Sequence, residues 1–339
     1  MSDPGRRGSL ASMPTAAILG AAGYSGRETL DRLLSHPELS LLAIGSDSHA
    51  GRPAFALDPR LARARLPQVV SNDDALAAGA DVVFCCLGHA EAAALVPPPD
   101  AIVVDLSGAH RLRDPAAYEQ WYGFAHPHPG SLGHWCYGVP ELARPASRLI
   151  ANPGCYATAA LLALAPIIHL IDPDEIVIDG KSGISGAGQA PTERTHAVAV
   201  LDTVTPYRVG THQHVPELEQ WLGAHICFVP HVVPLRRGLL ATCYVRPRAG
   251  GLREAFDAAY GTSAVVTLLP PGTAPELLRV QGADGAEVAL FEERDNRRAV
   301  VIAAIDNLGK GAAGQAVQNV NLALGLPETS GLRLGGVLV

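Results

Sequence analysis

The feature that most constrains this chain is an apolar stretch that runs into three glycines and leaves them as a helix: "TAAILGAAGYSGRETLDRLLSHPEL", residues 15–39. The run up to Leu19 reads as a strand. Gly20, Gly23 and Gly26 make a tight turn, and Leu30, Leu33 and Leu34 line one face of the helix that His36-Pro37 ends. A second strand is predicted over 39–46, "LSLLAIGS". Glycines at this spacing let a backbone approach a pyrophosphate closely, and the helix N-terminus behind them attracts its charge. The plainer reading is a tight turn without a ligand. In a strand–turn–helix that opens an α/β domain, dinucleotide binding is favoured, with Gly20, Gly23, Tyr24, Ser25 and Gly26 as candidate cofactor-binding residues.

Apolar runs at 81–87, 101–106 and 147–151 alternate with Ala-rich helical stretches, which predicts a parallel, doubly wound sheet over 15–151. From about 152 the pattern changes. Strand-like runs at 174–179, 225–233 and 239–246 carry mixed faces and helices are fewer, which predicts an antiparallel α+β domain over 152–306. A last helix is predicted at 307–324, after a strand at 299–305. Two domains suit a length of 339 residues, and residues 1–14 read as a loose tail.

Only 17% of the residues are charged, the formal net charge is −7 and no basic run occurs, so a nucleic-acid surface is not expected. No segment has the apolar length of a membrane span or a signal peptide. Cysteines 85, 86, 136, 155, 227 and 243 form no CxxC pair, which suits reduced thiols in the cytoplasm.

Four stretches carry chemistry. In "NPGCYATAALLALAP" (152–166), Cys155 stands where a helix begins, and free N–H groups and the helix dipole there favour a thiolate. A buried, gap-filling cysteine is the alternative. "YRVGTHQHVPELEQ" sets His212 and His214 two apart, with Glu217 just after. A zinc set lacks a third and fourth ligand at suitable spacing, whereas an acid/base beside a cysteine needs one imidazole. "GKSGISGAGQAP" (180–191) is a glycine-rich loop suited to an anion, and Arg111 and Arg236-Arg237 are candidate anion anchors. After the second strand, "GSDSHAGRP" offers Asp47 for the ribose of NAD, or Ser46, Ser48 and Arg52 for the 2′-phosphate of NADP. Spacing does not choose between them.

Six motifs in order, "GAAGYSGRE", "NPGCYAT", "SGISGAG", "HQHVPE", "VPLRRGLLAT" and "DNLGKGAAGQAVQNVNLALGLPE", resemble the N-acetyl-γ-glutamyl-phosphate reductase family from about residue 15 onward. The resemblance implies the semialdehyde-dehydrogenase fold: a Rossmann domain, then an α+β domain for catalysis and oligomer contacts, with the helix from Asn307 returning to the nicotinamide end. It implies NADPH-dependent reduction of an acyl phosphate, with Cys155 as nucleophile, His212 or His214 as acid/base and Glu217 orienting it. Gly186, Asn307 and Lys310 join Ser46 and Arg52 on the cofactor side, and Arg111 and Ser185 would hold phosphate or a substrate carboxylate. A homodimer or homotetramer is implied, with no metal. "LGHA" (87–90) stands where the family has Leu-Pro-His-Gly, and His110 stands in place of a phenylalanine. Competing readings are reduction of aspartyl phosphate or a carrier-bound aminoadipyl phosphate, and an idle dinucleotide sensor.

Overall fold

The computed structural model describes residues 13–336 except 191, 194, 195, 295 and 296; nearly all of the predicted N-terminal tail lies outside the described residues. Two seven-stranded sheets organise the chain. The first contains β1 (Thr15–Leu19), β2 (Ser40–Gly45), β3 (Val69–Val70), β4 (Val82–Cys85), β5 (Ile102–Asp105), β6 (Cys136–Tyr137) and β7 (Leu149–Ala151). Its order is β3-β2-β1-β4-β5-β7-β6, and every pairing is parallel. Strand order reverses direction between β1 and β4, which opens a crevice at their carboxyl ends. Helix α1 (Tyr24–Leu33) leaves β1 there.

The second sheet is built from β8 (Ile176–Gly183), β9 (Thr205–Pro206), β10 (Ile226–Val233), β11 (Leu239–Val245), β12 (Val266–Leu268), β13 (Ala286–Glu292) and β14 (Ala299–Ile305). The order is β12-β13-β14-β11-β8-β10-β9. Here the antiparallel expectation is corrected: β8 pairs with β10, and β12 with β13, in parallel. The reason is the connections. Some 40 residues, including helix α3 (His214–Leu222), separate β8 from β10, room enough for a crossover rather than a hairpin.

Helix α2 (Cys155–Leu164) follows the first sheet in sequence and packs on the second. All its residues after Cys155 are buried, and they join one apolar cluster with Ile178, Ala241, Cys243, Val301 and Ala303 of the second sheet. A helix apolar on every face can only be interior, which fixes its first turn rigidly.

The helix predicted over 307–324 is in two parts. Residues Gly309–Ala313 form a wide π turn in which Gly311 N–H donates to Asp306 O (2.9 Å) and Ala313 N–H to Leu308 O (3.0 Å). Helix α4 (Gly314–Leu324) follows. Ala316, Val317 and Val320 of α4 share an apolar cluster with Ile18, Leu30, Phe84 and Val104 of the first sheet and α1. Arg32 of α1 and Asp284, both inaccessible to solvent, form a bidentate pair, Nη2 donating to Oδ1 at 2.7 Å and Nε to Oδ2 at 3.1 Å. Arg237, read as an anion anchor, is instead committed to Asp306 (2.6 Å) and Glu28 (2.7 Å).

Candidate active site

The crevice begins at the glycine turn. Gly20 has φ +75°, and a Cβ there would strike the Cys86 carbonyl. Gly26 packs on the Gly20 carbonyl and Ala21, leaving no room for a side chain. Gly23 differs: a Cβ would meet only the Gly20 carbonyl, at 3.6 Å, so this glycine leaves space on the open side of the turn. It caps α1 without any side-chain hydrogen bond and with no acidic residue in the first turn, so the N–H groups of Tyr24, Ser25 and Gly26 remain for an anion. The cradle fits a dinucleotide pyrophosphate.

Asp47 does not face this space alone. It accepts from Asn72 N and Nδ2, both at 2.8 Å, and Asn72 Oδ1 accepts Gly20 N–H at 2.9 Å. The residue read as a possible ribose anchor thus props the glycine turn. Beside it Ser46 Oγ and Ser48 Oγ lie 3.3 Å apart, Ser48 Oγ is 2.8 Å from His49 Nδ1, and Arg52 is exposed.

Cys155 is the first residue of α2, half-buried, behind the extended cap residue Gly154. Gly154 is glycine for a steric reason: a Cβ would collide with His214 Nε2 and with the Arg111 guanidinium. Glu217, wholly buried, accepts Gly154 N–H (2.9 Å) and the Tyr137 hydroxyl (2.6 Å) through Oε1. Its Oε2 has no hydrogen-bond partner among the described residues and lies 3.5 Å from Arg111 Nη1 and 4.0 Å from His214 Nε2. One carboxylate therefore fixes the turn before Cys155 and faces the imidazole.

The two histidines separate here. His214 opens α3 beside Gly154, whereas His212 packs against Tyr156, Tyr207 and Phe228, and its Nδ1 accepts the His214 N–H at 3.1 Å. Burial first, then the charges of Arg111 and His89, holds the His214 pKa well below the ordinary histidine value. The expectation of an acidic thiol is not met. Burial pushes Cys155 up to about 11, outweighing Arg111 and the backbone N–H groups that pull it down. Desolvation of the closed crevice exceeds the helix-end effect.

The other sequence candidates fall as follows. Asn307 Nδ2 donates to Ser185 Oγ (2.9 Å) and Asn307 Oδ1 accepts Gly238 N–H (2.7 Å), so Ser185, exposed Gly186 and Asn307 are neighbours. Gly311 lies directly against Cys155. Lys310 is not directed at a ligand: wholly buried, its Nζ is held by Glu141 and Gln318. Arg111 reaches the site, with Nε on Asn152 O (2.8 Å) and Nη2 on Leu106 O (2.9 Å), and Nη1 turned to Glu217. Among the described residues no three His, Cys, Asp or Glu side chains group as metal ligands.

Sequence reasoning missed Tyr137, Asn152 and Arg208. Asn152 sits inside the quoted "NPGC" stretch, where its buried amide donates to Ala312 O and accepts from Asn319. Arg208 has φ +44° without being glycine, a strain that no sequence pattern announces.

Residues 15–150 match the family described as semialdehyde dehydrogenase, NAD binding domain, and residues 155–307 that described as semialdehyde dehydrogenase, dimerisation domain. Fold and site together define a semialdehyde dehydrogenase. Among solved structures, aspartate semialdehyde dehydrogenase II complexed with ASA from Vibrio cholerae superposes with a TM-score of 0.72 at 18% identity, covering 93% of this chain and 99% of that one. Aspartate semialdehyde dehydrogenase with NADP from Candida albicans gives 0.62 at 16%, over 92% and 99%. These share the fold alone. The N-acetyl-gamma-glutamyl-phosphate reductases of Acidothermus cellulolyticus and Salinispora arenicola are 45% and 42% identical, each over 95% of this chain and 98% of the relative. The chain belongs to the N-acetyl-γ-glutamyl-phosphate reductase family, as its six motifs imply.

Proposed function

We propose that the chain reduces N-acetyl-γ-glutamyl phosphate to N-acetylglutamate semialdehyde and phosphate with NADPH, as in arginine biosynthesis. The observation that carries this reading is the meeting of Cys155, His214, Glu217 and Gly311 at the start of α2. The neutral imidazole of His214 accepts the Cys155 proton as sulfur attacks the acyl carbon, and passes it to the departing phosphate oxygen. A thioester results. The first-turn N–H groups of α2, including that of Cys155, face the oxygen that gains charge. The hydride that reduces the thioester would come from NADPH held by the glycine turn and α1. As the aldehyde forms the Cys155 sulfur leaves as thiolate, and His214 relays a proton from solvent to it. Glu217 holds the turn by its bond to Gly154 N–H, and Arg111 offsets its charge.

Gly20, Gly23 and Gly26 with α1 would hold the pyrophosphate, and Asn307, Ser185 and Gly186 would border the nicotinamide end. NADP over NAD is supported by the commitment of Asp47 to Asn72 and by Ser46, Ser48, His49 and Arg52 beside it. A homo-oligomer is supported by the second sheet: one face packs on α2, while Val177, Val229, Leu240 and Tyr244 on the other are only partly covered. Six unpaired cysteines suit a cytoplasmic protein.

The test is phosphate-dependent reduction of NADP by purified protein given N-acetylglutamate semialdehyde, with aspartate semialdehyde and NAD in parallel. Activity confined to the acetylated substrate with NADP is expected. Activity on aspartate semialdehyde instead would move the substrate assignment, and none at all would end the enzymatic reading.

A further inference from the structure

His89 opens the short helix after β4 (His89–Ala94), at the crevice where strand order reverses. Gly108 N–H donates to its Nδ1 at 2.8 Å. A ring nitrogen that accepts has no proton, so the neutral imidazole carries its hydrogen on Nε2. Burial, reinforced by the positive charge of Arg111, lowers the His89 pKa to about 4, so the ring stays neutral near pH 7. Its orientation is fixed on a second side. The Tyr122 ring meets it edge-on at 5.0 Å and lies over Gly108, where a Cβ would fall on the tyrosine ring. His89 is half-buried, and its Nε2–H has no hydrogen-bond partner among the described residues. Arg111, three residues beyond Gly108, is the cation turned toward Gly154 and Glu217. Arg111 Nη1 and His214 Nε2 both lie against Gly154, so the cation beside Gly108 borders the Cys155 turn.

We propose that His89 is a substrate-binding residue, its Nε2–H donating to an oxyanion of the substrate beside Arg111. A fixed donor on a held ring loses little freedom when it binds, and a neutral donor next to a guanidinium suits an anion without competing for its charge. The oxyanion is either the transferring phosphate or the substrate carboxylate. This inference rests on the acyl-phosphate reading above and adds a residue to it.

Two variants separate binding from mere support of the loop. In His89→Asn the side-chain amide can still accept Gly108 N–H, but the distal donor is lost; His89→Gln keeps a distal N–H. Steady-state kinetics in the oxidative direction would be measured with NADP, semialdehyde and inorganic phosphate varied in turn. For His89→Asn we expect KM to rise about tenfold or more for one of phosphate or semialdehyde, with NADP KM unchanged and kcat within about threefold; His89→Gln should recover part of the loss. A rise confined to phosphate identifies the transferring group, and one confined to semialdehyde identifies the carboxylate. Wild-type kinetic constants in His89→Asn, or equal losses in both variants, would overturn the proposal. Inactivity of the wild-type protein would instead count against the acyl-phosphate reading.

Discussion

A Cβ added to Gly311 would lie 2.8 Å from the Cβ of Cys155, closer than real side chains approach. The segment after β14 is thus a wall beside Cys155, and the wide π turn at Gly309–Ala313 brings it there. Gly311→Ala should push Cys155 out of line by a few tenths of an ångström or more. We expect kcat to fall about 100-fold, the scale of small misplacements at reacting groups, with NADP binding retained. Kinetics and cofactor titration on the same preparation check this; a kcat within twofold of wild type would show that the pocket yields.

Because burial holds the Cys155 thiol near 11, the thiolate fraction in the free protein rises about tenfold per pH unit below that value. Alkylation of Cys155 by iodoacetamide should keep accelerating from pH 7 to beyond pH 9. Peptide mapping of the alkylated protein gives the rate at this one cysteine. A plateau already at pH 7 would restore the acidic thiol expected from the helix start.

The histidines should differ in consequence. His214 adjoins Gly154 and faces Glu217, while His212 stands behind it among aromatic rings. His214→Asn is expected to lower kcat by about 10²–10⁴-fold, the range for a lost acid/base group, and His212→Asn by tenfold or less. Should His212→Asn prove the more damaging, the assignment is reversed.

Asp284→Ala leaves Arg32 charged and without its bidentate partner in a site closed to water. Breaking a buried pair from one side costs about 3–5 kcal/mol. Urea denaturation should show a loss of that order, and the double variant Arg32→Met/Asp284→Leu should recover most of it. A single-variant loss under 1 kcal/mol would mean that water reaches the site.

The glycine turn and the place of Cys155 at a helix start were legible in the sequence because both depend on local chemistry: glycines at fixed spacing, and a Pro-Gly turn before an apolar helical run. Contacts between distant residues were not. Nothing near Lys310 says that Glu141 holds it, and nothing near Asp47 says that Asn72 claims it. The thiol's acidity was misjudged because the helix end is visible in sequence, whereas the burial that overrides it depends on α3, the 105–111 loop and the turn at Gly311. The parallel pairs of the second sheet were missed because a strand's partner depends on the length of its connections, not on its own alternation.

The packing of α4 on the first sheet has a consequence for how the protein is made. When the ribosome has released residues through Ala151, all strands of that sheet exist, but Ile18, Leu30, Phe84 and Val104 still lack Ala316, Val317 and Val320 to cover them. At usual synthesis rates the delay is roughly 10–35 seconds. Through that interval the nascent cofactor domain presents an apolar face and an Arg32 paired only with Glu28 of its own helix. That face stays open to water until the final helix arrives to cover it.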